Sequence, residues 1–147
     1  MRTLRIKCSK DALLTVQRSS QWSKRMVYVL SADKSFKYSN GRRTRIIYIG
    51  TTGKGARRPA TSAVDKASEA FANLRGVRQI EVHIVTCQRR RAVQTWKHLE
   101  SALLAAFRDR YYELPRYNRK KGSVAHAEDV SLFRRKALES LLKRFGD

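Results

Sequence analysis

A carboxylate stands where an apolar residue belongs. Over residues 91–108, Val93, Trp96, Leu99, Leu103, Leu104 and Phe107 recur at helical spacing. That spacing gathers them on one face of an amphipathic helix, which must bury its stripe against other structure. At about 100° per residue, Glu100 falls inside the same arc, one turn beyond Trp96 and one turn before Leu104. A lone buried carboxylate is costly, so this one is expected to pair with a cation or to ligate a metal. Trp96 and Leu99 are read as core. His98 points toward the polar side and carries no assignment.

The rest of the patterning sets this helix in an α+β chain. Residues 26–30 and 45–49 are runs rich in β-formers. Asn40-Gly41 lies between them as a tight-turn signal, because both residues tolerate positive φ. The two runs are expected to pair antiparallel through a long hairpin. Gly53 and Gly55 punctuate the next loop, and a helix is expected over 57–74, closed by residues 73–76. Pro59 sits in its first turn, where a missing N–H costs nothing. Residues 79–87 read as a third strand, with Ile80, Val82 and Ile84 on one side and Glu81, His83, Val85 and Cys87 on the other. The Glu100 helix follows and ends before Pro115, and residues 116–122 form a basic loop. A last helix over 128–145 carries Val130, Phe133, Ala137, Leu138, Leu141, Leu142 and Phe145 on one face, for the core or a partner. The order β-β-α-β-α-α predicts a small antiparallel three-stranded sheet flanked by helices. Residues 1–23 form an N-terminal extension, 24–122 the domain proper and 123–147 the C-terminal helix. Within the extension, Leu4 and Ile6 suit an edge strand and residues 11–17 a short helix.

Charge narrows the function classes. At 147 residues the chain suits one domain with a proper core. Thirty-three Lys and Arg stand against twelve Asp and Glu, a formal net charge of +21. That imbalance points to a polyanionic partner, most simply nucleic acid. The basic clusters lie in several elements rather than along one interfacial helix, which disfavours a membrane surface. Cys8 and Cys87 are too few and too far apart for a disulfide framework or a zinc site, and His83, His98 and His126 lack ligand spacing. No membrane-length apolar run and no signal peptide is visible, so a cytoplasmic, reduced setting is expected.

One ordered set of residues carries chemistry. Tyr28 closes Met26-Val27-Tyr28 in the first strand, and Tyr48 opens Tyr48-Ile49-Gly50 in the second. A loop then leads to arginines at the start of a helix, a third strand precedes the helix with Glu100, and Asn118 follows in the basic loop. In this order the chain resembles the GIY-YIG nuclease superfamily over roughly residues 24–122; the first signature keeps its tyrosine and lacks the glycine. The resemblance implies a catalytic domain of GIY-YIG-like fold that hydrolyses DNA as a divalent-metal-dependent endonuclease. It implies that Tyr28 and Tyr48 line the site, one of them deprotonating or orienting the attacking water. Arg58, ten residues after Tyr48, matches the family's arginine, with Arg57 as the neighbouring alternative. Glu100 matches the glutamate that holds Mg²⁺ or Mn²⁺, and Asn118 a polar residue that supports the site.

The residue types suit phosphodiester hydrolysis in their own right. That reaction needs an activated nucleophile, charge compensation at phosphorus and a stabilised leaving oxygen. Tyrosine is a poor base, with an unperturbed pKa of about 10, so a metal and nearby cations such as Lys54 are expected to favour its phenolate. Arg58 offers a planar fork to phosphate oxygens. A single carboxylate leaves most of a Mg²⁺ shell to water and substrate. Thr51, Thr52, Lys54, Arg57, Arg116, Arg119, Lys120 and Lys121 are expected to contact the nucleic acid. Arg42, Arg43 and Arg45 on the hairpin are expected to enter a groove. DNA is the expected partner, engaged by a monomer or by a homodimer built on the last helix. A non-catalytic basic nucleic-acid-binding protein of the same fold, or an RNA-directed protein, is the alternative.

Overall fold

A computed structural model describes residues 3–17, 23–118 and 132–147. Two long strands, β1 (Met26–Lys37) and β2 (Arg43–Thr52), are followed by α1 (Arg57–Asn73), β3 (Ile80–Val85), α2 (Thr95–Tyr111) and α3 (Arg135–Gly146). The strands form one antiparallel sheet in the order β2-β1-β3. The α+β architecture with a small flanked sheet is therefore as the sequence predicts.

The hairpin differs from expectation in an instructive way. Its long connection is strand, not loop: β1 runs on to Lys37, and Phe36 and Lys37 pair with Thr44 and Arg43. Pairing with β3 ends at Ala32, and the register with β2 passes from Ser31 opposite Ile46 to Phe36 opposite Thr44, so the polar stretch Asp33-Lys34-Ser35 is an irregular segment of β1 without partners in β2. The turn itself is tight, with Gly41 at φ 84° and its N–H donating to the Tyr38 carbonyl at 2.9 Å. The tip docks on the end of α2. Asn40 Nδ2 donates to the Arg110 carbonyl at 2.7 Å and Ser39 Oγ to the Tyr111 carbonyl at 3.4 Å. These bonds satisfy carbonyls that a helix C-terminus leaves without partners.

A bulge in β2 decides which residues share a face. Leu30 lies opposite Tyr48, but the next residue, Ser31, lies opposite Ile46, so Ile47 is the extra residue. A bulge resets the period-two alternation. Ile47, Tyr28, Leu30 and Ala32 consequently pack under α1 with Ala70 and Leu74, while Tyr48 packs on the rim of that cluster. Val27, Val29, Ile46, Ile49 and Val85 face the other way, onto Leu99, Leu103 and Phe107 of α2 and Leu138 and Leu142 of α3. Fully buried side chains such as Phe107 and Leu138 each stabilise the fold by about 1.5–3 kcal/mol relative to exposure. Leu103 on α2 belongs to the same layer.

Four local expectations need correction. Residues 91–94 are a turn closed by an Arg90–Val93 bridge, with Ala92 at φ 58°, so the Glu100 helix begins at Thr95. The last helix begins at Arg135, and the part of its expected span that includes Val130 lies outside the described residues. Its apolar face covers the chain's own core. Trp96 is half-buried at the rim and not in the core. Residues 3–17 form neither strand nor helix and are exposed, Leu4 and Ile6 included. No described helix is long and apolar enough to cross a membrane.

Candidate active site

The site begins with a glycine. Tyr28 of β1 lies directly opposite Gly50 of β2. A Cβ at Gly50 would stand 2.6 Å from Cζ and 2.7 Å from Oη of Tyr28, and 2.7 Å from Cε1 of Tyr48. Only a residue without a side chain leaves the slot in which the two rings meet, their centroids 6.0 Å apart and their planes inclined at 34°. Gly50→Ala is therefore expected to push both rings aside. Overpacking of this kind costs about 1–3 kcal/mol, read as a lowered melting temperature, and any function that needs the paired hydroxyls should fall with it. An unchanged melting temperature would contradict the slot.

Helix α1 supplies the next layer. Tyr28 Oη and Ser62 Oγ share a hydrogen bond of 2.9 Å. Arg58, Ser62 and Lys66 recur every four residues, one above the other on a helix surface. They grade from exposed to buried along that face. The Lys66 side chain is only 11% exposed, its ammonium 3.4 Å from Asp65 and 3.6 Å from Glu69. The same ammonium lies 5.6 Å from the centre of the Tyr48 ring and 5.9 Å from that of Tyr117, within range of a cation–π attraction. At its start α1 has no side-chain cap and no acidic residue in its first turn. Its positive end is thus reinforced by Arg57 and Arg58.

Asn118 acts on backbone. Its Nδ2 donates to the Ile49 carbonyl at 2.8 Å and its Oδ1 accepts from the Ile49 N–H at 2.9 Å. Tyr117 adds an N–H bond to the Ile47 carbonyl at 2.9 Å. The pair thus stands in for a neighbouring strand on the outer edge of β2, whose N–H and C=O groups need partners. This clamp holds the peptide between Tyr48 and Gly50.

Electrostatics tie Glu100 and Arg58 to the tyrosines. Burial raises the Glu100 carboxyl above its ordinary value, opposed by the positive charges of Arg58 and Lys97. Burial also pushes the Tyr48 phenol up to about 12; Tyr28 and Glu100 add to the shift and Arg58 opposes it. The expected phenolate is corrected here. Desolvation and the neighbouring hydroxyl and carboxyl outweigh the arginine, so the side chain is a neutral phenol near pH 7. Among the described residues no three His, Cys, Asp or Glu side chains gather. A cation held at Glu100 would therefore have one protein carboxylate and a shell completed by water or substrate oxygens, which suits Mg²⁺.

The remaining predicted contacts divide. Lys54 and Arg57 are exposed beside Arg58 at the entrance to α1. Thr51 Oγ1 donates to the Met26 carbonyl at 3.0 Å and Thr52 Oγ1 accepts from the Lys54 N–H at 3.1 Å, so both hydroxyls serve the backbone. The hairpin arginines lie elsewhere. Along β2, Arg43 lies seven residues from Gly50, the partner of Tyr28, about 20 Å along a strand. Arg43 is bound to the Ser35 hydroxyl and carbonyl at 3.1 and 2.9 Å, and Arg45 reaches Glu81 at 3.6 Å. Arg42 borders a cleft with Asp109, Arg135 and Glu139. A tip docked on α2, with two of its arginines bonded to its own chain, is not a free arm for a groove. Arg116 is exposed, 5.5 Å from the Phe36 ring centre. Arg119, Lys120 and Lys121 lie outside the described residues.

Ser62, Lys66 and Tyr117 were not singled out from the sequence. The every-fourth-residue repeat after Arg58 was the available signal for the first two. No known protein family, curated protein or solved structure matches the chain.

Proposed function

We propose that this protein is a divalent-metal-dependent DNA endonuclease of GIY-YIG type. The observation that carries the reading is the tyrosine pair in the Gly50 slot, bordered by Arg58 and by a half-buried Glu100. Two hydroxyls, an arginine and a carboxylate beside a helix N-terminus suit the in-line hydrolysis of a phosphate diester. The net charge of +21 suits a polyanionic substrate.

In this reading Arg58 and the open end of α1 receive the non-bridging phosphate oxygens and compensate charge as it builds at phosphorus. Glu100 would hold Mg²⁺ or Mn²⁺, which when bound polarises the phosphate and stabilises the leaving oxygen. Tyr48, neutral at pH 7, orients the attacking water through its hydroxyl. The water oxygen bonds to phosphorus, the ester bond to the leaving oxygen breaks, and the water's proton passes to solvent. Ser62 fixes the Tyr28 hydroxyl and Asn118 fixes the Tyr48 peptide, so both are positioning groups.

The test is cleavage of end-labelled DNA and RNA duplexes of one sequence, at low salt with Mg²⁺ and excess protein. DNA products without RNA products are expected. Binding of DNA with no cleavage would remove the enzyme and leave a basic binding protein of the same fold. Cleavage of RNA alone would redirect the site to RNA.

A further inference from the structure

The sheet ends in an open strand. β3 pairs with β1 on one side, and among the described residues no strand pairs with the other. One bond fixes the phase of its ladder: the Asp33 N–H donates to the Gln79 carbonyl at 3.1 Å. These two residues continue the register in which Ala32 faces Ile80 and Ser31 faces Glu81. Hydrogen-bonded positions alternate along an antiparallel ladder. Gln79, Glu81, His83 and Val85 therefore direct their N–H and C=O groups to β1, and Ile80, Val82 and Ile84 direct theirs outward. Such a row of unpaired groups is a template for another strand, and native edges are commonly blunted by lysine, proline or a bulge. Ile80–Val85 contains no lysine and no proline, and its register with β1 is unbroken.

The side chains beside this edge are apolar on one face and complementary on the other. Ile80 packs with Ala70 and Leu74 under α1, so Val82 and Ile84, two and four residues on, lie on that same face. Val82 is 37% exposed. Lys66 borders the buried face of α1 on the β2 side, beside Tyr48 and Tyr117. At about 100° per residue, Val64, Ala67 and Phe71 border it on the opposite side, toward β3. Phe71 and Val64 are 40% and 62% exposed. On the other face of β3, Glu81 and His83 lie side by side, carboxylate and imidazole 3.2 Å apart.

The last helix, expected to serve dimerisation, covers the chain's own core; the open edge is what fits a second copy. We propose that β3 pairs antiparallel with β3 of a second copy of this chain, about a twofold axis at Val82. In that register Val82 faces its own counterpart and Ile80 faces Ile84, the positions whose backbone groups point outward. These three pairs exchange two hydrogen bonds each, about six in all. Glu81 then faces His83 of the second copy, twice, at the non-hydrogen-bonded positions where side chains approach most closely. A carboxylate opposite an imidazole N–H is complementary whether or not the ring is charged. Moving the axis to Glu81 or to His83 would set like side chain against like, so the edge favours one symmetric register. The inference goes beyond the proposed hydrolysis and holds equally for a binding protein of the same fold.

Two chains of net charge +21 repel each other, so association should strengthen as salt shortens the reach of that repulsion. Sedimentation equilibrium of the full chain at about 0.5 M salt, where the Debye length is about 4 Å, is expected to give twice the mass of one chain. Val82→Lys sets two ammonium groups against each other across the axis and should weaken association about tenfold or more. Its side chain is partly exposed, so the single chain should keep its fold, checked by circular dichroism. Glu81→His and His83→Glu should each weaken association about fivefold by setting like against like, and together should recover it to within about twofold. Ile6→Lys, in the exposed apolar stretch before β1, should leave it unchanged. A monomer at every salt concentration, undiminished association of Val82→Lys, or a double variant no better than either single one would overturn the proposal. Equal loss in Ile6→Lys and Val82→Lys would overturn it too, by making the N-terminal segment the occupant of the edge.

Discussion

Glu100→Gln is expected to lower the cleavage rate about 10³-fold, the scale of losing several kcal/mol of metal assistance. The substitution keeps the size of the side chain and removes its charge. DNA affinity should be unchanged or tighter, because one negative charge leaves a basic surface. The carboxyl sits above its ordinary value because burial outweighs Arg58 and Lys97, and this fixes the sign of two pH effects. Without metal, a raised folded-state pKa contributes stability below the unfolded value and loses it as pH rises through the folded value. The Gln variant, free of that ionisation, should melt no lower than the wild type at neutral pH in chelator. With metal the direction reverses, since only the ionised carboxylate holds a cation. Mg²⁺-dependent activity should rise with pH through the raised Glu100 value, later than an ordinary glutamate would give. Full turnover in Glu100→Gln would remove the enzyme reading.

The tyrosines and Arg58 carry the second large effect. Tyr28→Phe and Tyr48→Phe preserve ring packing, and at least one should lose about 10²-fold or more in single-turnover rate. Arg58→Ala should impair cleavage far more than Arg57→Ala, because the Arg58 charge acts on both Tyr48 and Glu100. Tyr48 titrates near 12, so the folded state favours its neutral form. That contribution to stability is full below about 10 and is lost as pH rises toward the folded value. A phenol that orients water predicts a rate plateau between the Glu100 and Tyr48 ionisations. A rate climbing tenfold per pH unit across that interval would instead make the phenolate the base. Normal cutting by both phenylalanine variants would make the tyrosine pair incidental to catalysis.

The residues that reveal themselves in sequence are those whose role is periodic. Leu99, Leu103 and Phe107 follow helical spacing and are buried in α2. Val27, Val29 and Ile49 lie in β-rich runs and are buried in the sheet. Glu100 stood out because it breaks such a period. What stayed hidden depends on contacts distant in sequence. The extension of β1 through polar residues follows from where β3 stops pairing, at Ala32. The hairpin arginines looked free because their partners, Ser35 and Glu81, are set by cross-strand register. The raised phenol of Tyr48 reflects burial under α1, whereas local composition suggested only surrounding positive charge. Asn118 is five residues past Glu113 in a turn, and its bond to Ile49 spans 69 residues of sequence.

The most direct test of the central claim is conversion of supercoiled plasmid DNA by the wild-type chain and Glu100→Gln, side by side, with Mg²⁺ and with excess chelator. Nicked or linear product from the wild type with Mg²⁺, and from neither protein in chelator, is the predicted result, with Glu100→Gln almost silent throughout. Equal conversion by the two proteins, or undiminished conversion in chelator, would contradict a metal-dependent nuclease centred on Glu100.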